Sequence, residues 1–347
     1  MSANFWQQLK KPIFVLAPMA NVTDAAFRRI IAKYSKFGGQ DIGDGSKASL
    51  PVRSFSEGGP DVMWTEFVAC DGLMSPGRDR LLVDFMYSEA ERPIVAQIFG
   101  SRPENFYKTA LLIQELGFDG IDINMGCPDK NVEKQGGGAC LIKHPLLAQE
   151  VIRATQRGAG KLSVSVKTRI GYNKNILSEW LPYLLETELA AITIHARTRK
   201  EMSKVPANWE TVKDAVAIRD KYDSSESKTL ILGNGDVNDI ADAEEKVKQT
   251  GADGVMIGRG IFGNPWLFNR SVDAETMPIK EKLLVMIEHT HLFEKVLGEY
   301  KNFDIMKKHY KAYVNGFDGA KELRIQLMEG AKTADDVEKI TMDFLHN

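Results

Sequence analysis

The feature that most constrains this chain is a recurrence. Eight short β-rich runs, at residues 14–17, 62–65, 94–98, 120–124, 163–168, 191–195, 229–232 and 254–257, are separated by longer stretches of helical periodicity such as 24–34, 103–116, 145–155 and 208–222. Most of the short runs are continuously apolar rather than alternating, the pattern of strands covered on both faces and therefore of a parallel sheet. Eight strand–helix units in about 270 residues suit an α/β fold of the (β/α)8 TIM-barrel type better than a doubly wound sheet. Periodicity alone does not separate a closed barrel from an open sheet. Two regions depart from the alternation. Residues 38–59, rich in Gly, Ser and Asp, read as a long loop between the first helix and the second strand. From about Pro278 the strands cease, and 280–297, 304–317 and 335–345 read as helices. The expected organisation is a barrel over 1–275 and a C-terminal helical domain over 276–347.

Composition excludes several classes. Of 347 residues, 43% are hydrophobic and 27% charged, which supports a core of ordinary size without disorder. The net charge of −2 does not advertise a polyanion binder, so nucleic acid would have to meet a local basic face. Three cysteines (Cys70, Cys127, Cys140), with no CxxC pair and no histidines at zinc spacing, argue against a disulfide framework or a structural metal and for a reducing cytoplasm. No stretch approaches the roughly 20 apolar residues of a membrane span. A soluble cytoplasmic protein without metal, a monomer off the membrane, is expected.

In a barrel, chemistry gathers at the carboxyl ends of the strands. Those ends here carry Pro18-Met19, Gln97 before Gly100, Asn124-Met125-Gly126-Cys127-Pro128, Lys167 and Arg169, His195-Ala196-Arg197-Thr198, Gly233-Asn234-Gly235-Asp236 and Gly258-Arg259-Gly260. Glycines let backbone approach a phosphate, and barrel phosphate sites commonly follow strands seven and eight, where Arg259 adds a cation. The same glycines also suit tight strand-to-helix turns. Lys167 interrupts an apolar run, and an unpaired buried ammonium is disfavoured. It should face an anion or an electron-rich ring such as a reduced flavin, or else a barrel carboxylate. Gln97 offers donors and an acceptor fit for a flavin's pyrimidine edge. His195 suits phosphate or substrate, or a satisfied core position. Cys127, in a Gly-Cys-Pro turn just past a strand, presents a thiol that is mostly protonated near neutrality and can serve as an acid. Cys70 and Cys140 lack that placement and read as packing residues.

The runs Ala17-Pro18-Met19, Asp122 to Pro128, Val166-Lys167-Thr168-Arg169, Ile194 to Arg199, Gly233 to Asp236, Gly254 to Gly260 and Gly263 to Phe268 resemble those of tRNA-dihydrouridine synthases. The resemblance covers roughly Pro12 to the C-terminus in motif order. Its most specific piece is Asn-Met-Gly-Cys-Pro followed by Gly136-Gly137-Gly138. It implies FMN at the barrel mouth, NADPH as electron source, hydride transfer to C6 of uracil and protonation of C5 by the cysteine, here Cys127. Pro18, Met19, Gln97, Lys167, His195, Asn234, Gly235, Asp236, Gly258 and Arg259 match cofactor positions. Asn124 matches a position near the uracil, and Arg197, Arg199 and Lys204 lie on a loop that approaches tRNA. The segment Met306 to Tyr313 resembles the family's basic-aromatic RNA-binding helix, with Lys307, Lys308 and Lys311 as phosphate contacts. Between 299 and 324, six Lys/Arg stand against four Asp/Glu, a modest local excess that composition alone would assign to a solvated helix face. The 38–59 loop is longer than the family's usual connection. Two other readings share part of the pattern: an FMN barrel acting on a free small molecule, and an RNA-binding module with a vestigial flavin site.

Overall fold

The computed structural model describes residues 4–50, 58–223, 225, 228–274 and 276–346. Part of the loop expected at 38–59, residues 51–57, lies outside that set. Eight parallel strands make one sheet: β1 Ile13–Leu16, β2 Met63–Ala69, β3 Ile94–Phe99, β4 Gly120–Met125, β5 Ser163–Arg169, β6 Ala191–His195, β7 Leu230–Asn234 and β8 Gly254–Ile257. The order is β1-β8-β7-β6-β5-β4-β3-β2, each neighbour next in sequence except that β1 pairs with β8. The two ends of that order then meet: Asp61 N donates to Phe14 O (2.8 Å) and Leu16 N to Val62 O (3.2 Å). The sheet curls into a (β/α)8 barrel, as the alternation of runs led one to expect.

The helices are α1 Ala25–Ile31, α2 Cys70–Leu73, α3 Arg78–Leu82, α4 Pro103–Glu115, α5 Lys130–Lys134, α6 Pro145–Ala159, α7 Leu177–Leu185, α8 Glu210–Tyr222, α9 Ile240–Thr250, α10 Ile279–Leu297, α11 Lys307–Tyr313, α12 Ala320–Gly330 and α13 Ala334–His346. Local chemistry sets many of their starts. Asp24, Asp129 and Asp239 cap α1, α5 and α9 by accepting from backbone N–H groups, and Pro103 and Pro145 open α4 and α6. The run read as one helix over 304–317 is instead a 3-10 turn followed by α11, which stops at Tyr313. Gly316 and Gly319, both at φ +77°, break the chain before α12, which periodicity had not marked. Among the described residues no helix is long and apolar enough to cross a membrane.

The chain forms two compact units, residues 1–19, 61–85 and 92–258, and residues 20–60, 86–91 and 259–347. The first is the barrel. Its interior is filled by strand residues Ile13, Val15, Trp64, Val95, Ala191, Leu230, Leu232 and Met256, with Val62 just before β2 and Trp6 from the 3-10 turn that precedes β1. The second joins α1 to the C-terminal helices: Lys33 pairs with Glu288 at 2.6 Å, and Ser35 Oγ donates to Pro265 O at 2.7 Å.

At the centre of the second unit, His289 and His309 lie ring to ring, centroids 4.8 Å apart, with Phe27, Phe262 and Tyr313 around them. Both nitrogens of His289 and Nε2 of His309 have no hydrogen-bond partner among the described residues. Burial depresses His289 to about 3 and also pushes His309 down, helped by His289 and Lys308. Both are therefore neutral when folded, and an unfolded chain binds the protons first. Stability is complete above the ordinary histidine value of 6.5 and declines as pH falls from there toward the folded value. His289 alone should cost about 2 kcal/mol at pH 5. Urea midpoints measured from pH 8 to pH 5 should fall, and His289→Leu should flatten the decline.

Candidate active site

On β4 and β5 the inward positions are polar toward the carboxyl end. On β4 they are Asp122 and Asn124, and on β5 Ser165 and Lys167. The parallel register sets Gln97 beside Asp122, Asp122 beside Ser165, and Asn124 beside Lys167. These neighbours form one buried network. Gln97 Nε2 donates to Asp122 Oδ2 (2.7 Å), Ser165 Oγ to Asp122 Oδ1 (2.6 Å) and Asn124 Nδ2 to Gln97 Oε1 (3.1 Å). Thr65 Oγ1 accepts from Gln97 N at 3.1 Å. Burial raises Asp122 to about 6 against the pull of Gln97, Ser165, Lys167 and Trp64. Lys167 is lowered to about 7, first by burial and then by Arg169, while Asp122 and Cys127 work the other way. Among the described residues the half-buried Lys167 makes no hydrogen bond or ion pair, so its Nζ retains its capacity for a ligand.

Asn124 continues the network into the turn that follows β4. Its Oδ1 accepts from Gly126 N (3.1 Å) and Cys127 N (2.9 Å). Gly126 O accepts from Arg169 Nε at 2.7 Å, and Cys127 O from Ala139 N at 3.0 Å. The triple glycine closes over this turn. Gly138 sits at φ +60°, and a Cβ there would lie 2.7 Å from Cys127 O; one on Gly137 would lie 3.0 Å from Gly100 O. Cys127 is half-buried. Desolvation, the largest influence, and Asp129 raise its thiol, while a backbone hydrogen bond at Asp129 and the charges of Arg169 and Lys167 pull it back, with a net upward shift. The thiol is protonated at neutral pH, the state a proton donor needs. Cys70 is fully buried, with its thiol pushed far upward by burial, and Cys140 is half-buried.

The glycine turns after β7 and β8 differ in what requires them. A Cβ on Gly233 would strike the Trp209 ring at 2.2 Å, so that glycine serves packing. Gly235, at φ +126°, would bring a Cβ to 2.9 Å from Ala207 and 3.3 Å from the His195 ring, and its carbonyl accepts from Trp209 Nε1. At Gly258 the nearest contacts would be Ala17 Cβ at 3.7 Å and Met19 Sδ at 3.8 Å. No neighbour among the described residues demands glycine there. Arg259, next in the chain, is exposed and belongs to the second unit. Half-buried Pro18 and Met19 follow β1. Asn234 donates one amide hydrogen to Met256 O (2.8 Å).

The residues expected to meet RNA are distributed unequally. Arg197 is 2% exposed; it donates to Asp236 and to Val205 O and lies 3.3 Å from His195 Nε2. Arg199 grips Glu133. Lys204 and Lys311 are exposed. Lys307 pairs with Asp304 at 2.7 Å, and Lys308 Nζ donates to Asn21 O at 2.6 Å. Sequence reasoning named Asp122 and Arg169 but gave neither a role in the site. The signal for Asp122 was the one used for Lys167, a charge between apolar strand neighbours. Arg169, which also donates to Thr198 O and Met202 O, is a buried cation whose carbonyl partners sequence does not reveal.

A protein-family model described as Dihydrouridine synthase (Dus) matches residues 15–347. A probable tRNA-dihydrouridine synthase of Staphylococcus aureus (strain COL) is 40% identical over 338 residues, 96% of this chain and 94% of that protein. The probable tRNA-dihydrouridine synthase 2 of Bacillus subtilis (strain 168) is 39% identical over 347 residues, 99% of this chain and 97% of that protein. Among solved structures, an old yellow enzyme homologue from Zymomonas mobilis aligns with TM-score 0.44 and 13% identity over 73% of this chain and 86% of that one, a likeness too distant to inform the chemistry.

Proposed function

Because the chain belongs to the dihydrouridine synthase family, we propose that it reduces uridines in tRNA to 5,6-dihydrouridine, with FMN bound at the barrel mouth, NADPH as reductant and Cys127 as the acid. The observation that carries this reading is a protonated thiol, held on a tied turn, in the same unit as a lysine that has no hydrogen-bond or ion-pair partner among the described residues. When bound and reduced by NADPH, FMN would supply the hydride that adds to C6 of the uracil. Cys127 delivers the proton to C5, so that the C5–C6 double bond becomes single. Lys167 would offer its Nζ–H groups to the electron-rich edge of the cofactor ring. Gln97 uses one amide hydrogen on Asp122 and has a second for the same edge. Pro18, Met19, His195, Asn234, Gly235, Asp236, Gly258 and Arg259 are the residues that would hold the remainder of the cofactor. Asn124 reads the substrate base. Monomeric action in the cytoplasm completes the proposal.

A uracil inside folded tRNA must leave its stack to reach such a pocket. Contacts outside the pocket have to support that move, and we assign them to Lys204 and to Lys307, Lys308 and Lys311 within a tRNA-binding part spanning 276–347. Incubating the purified protein with unmodified tRNA and NADPH should produce dihydrouridine, together with flavin absorbance in the protein. Reduction of a free pyrimidine in place of tRNA, or a protein that neither holds nor takes up flavin, would overturn the reading. Reversing Lys307, Lys308 and Lys311 to Glu should weaken tRNA binding and flatten its salt dependence by about 0.7–0.9 per lost phosphate contact. An unchanged affinity and slope would make those helices structural.

A further inference from the structure

The turn that carries Cys127 is tied at every main-chain group. Gly126 N and Cys127 N donate to Asn124, Gly126 O accepts from Arg169, and Cys127 O accepts from Ala139 N. The last carbonyl, Pro128 O, accepts from Arg199 Nη2 at 3.4 Å. Arg199 reaches it from the loop after β6 while holding Glu133 of α5 with two nitrogens, Nε to Oε1 at 2.9 Å and Nη2 to Oε2. The pair is backed by the Tyr172 ring, 5.3 Å from the guanidinium, with Lys143 4.2 Å from the same ring. Main-chain bonds from Arg199 N to Gly171 O and from Lys200 N to Tyr172 O, both 2.9 Å, fix the loop that delivers the arginine. Glu133 is held below its ordinary value: burial works against this, but the hydrogen bonds from Arg199 and Tyr172 outweigh it.

A guanidinium engaged in this way is poorly placed to neutralise a phosphate. We propose that the Arg199–Glu133 pair is a positioning device for the Cys127 thiol rather than a nucleic-acid contact. This deepens the reading of Cys127 as the acid and rests on it. A planar fork bound bidentately to a carboxylate defines an orientation that a lysine's point charge does not. Loss of the clamp therefore lets the turn drift, and proton delivery is sensitive to displacements of about 1 Å, which can cost 10²-fold in rate.

Charge separates the two roles. If Arg199 contacted phosphate, Glu133→Gln would remove a nearby negative charge and tighten tRNA binding. If the pair positions the thiol, Glu133→Gln and Arg199→Lys should each lower single-turnover dihydrouridine formation by about 10- to 100-fold. The double variant should be no worse than either single, and tRNA affinity and its salt slope should stay unchanged. Iodoacetamide labelling followed by peptide mass spectrometry gives a readout independent of activity. Cys127 should react at an altered rate in both single variants, while the buried Cys70 stays protected and so reports an intact fold. Unaltered Cys127 labelling, or tighter tRNA binding in Glu133→Gln, would overturn the proposal. Cys127→Ala keeps the two ideas apart. If that variant still makes dihydrouridine, the acid assignment fails, whereas the labelling experiment still decides whether the pair holds the turn.

Discussion

Cys127→Ala is expected to lower dihydrouridine formation in tRNA by about 10² or more, the usual consequence of losing a general acid. NADPH-driven reduction of bound flavin should continue, because the thiol acts on the base alone. The substitution is a clean probe, since the turn is held through main-chain atoms that alanine keeps. Cys70→Ala and Cys140→Ala should retain near-normal activity, as neither lies in the turn after β4. The acid's protonation also sets a pH profile. Desolvation raises the Cys127 thiol above its ordinary value of 9.0, so loss of this acid should lower the wild-type single-turnover rate only above that value. Full single-turnover conversion by Cys127→Ala would remove the assignment.

Arg28→Met should destabilise the protein by about 3–5 kcal/mol, the scale for leaving one member of a buried ion pair alone. Arg28 and Glu91 have side chains with 0% exposure and meet at 2.6 Å. The guanidinium also donates to Thr23 O and Met86 O, and Glu91 Oε1 accepts from Ser88 N (2.7 Å) and Ser88 Oγ (3.0 Å). Removing the cation leaves a carboxylate with Arg29 3.7 Å away as its remaining countercharge. Net stabilities are typically 5–15 kcal/mol, so the loss is a large share. Arg28→Met with Glu91→Leu should recover much of it, because the isolated charge, not the missing bond, carries most of the cost. Urea denaturation of the single and double variants measures both effects; a single variant within 1 kcal/mol of wild type would contradict the argument.

That ion pair also marks the limit of reading along the chain. The periodicity around 24–34 announced a helix with an apolar face, and α1 is there. Nothing in a 3.6-residue period says which surface the face will meet. Packing joins α1 to the C-terminal helices and to residues 86–91, and its Arg28 finds Glu91 across 63 positions of sequence. The same holds for His289 and His309, whose solitude in the second unit is a property of their neighbours rather than of their motifs.

The strands and the polar residues at their ends were legible because both obey short-range rules. A strand covered on both faces must be apolar, and a charge or glycine at its end stands out against that background. Lys167, Cys127 and the glycine turns were found in this way. What sequence could not supply is partnership. It left the barrel's closure open, and two backbone bonds between the ends of the strand order decide it. It grouped Arg197, Arg199 and Lys204 as one basic loop, but folding buries the first against Asp236, locks the second onto Glu133 and leaves the third exposed. The residue types alone determined which chemistry the strand ends could carry. Which cations remain free for a ligand was decided only by the tertiary structure, because an ionic or hydrogen-bonding partner is chosen by distance in space, and a strand's neighbour lies dozens of residues away in the chain.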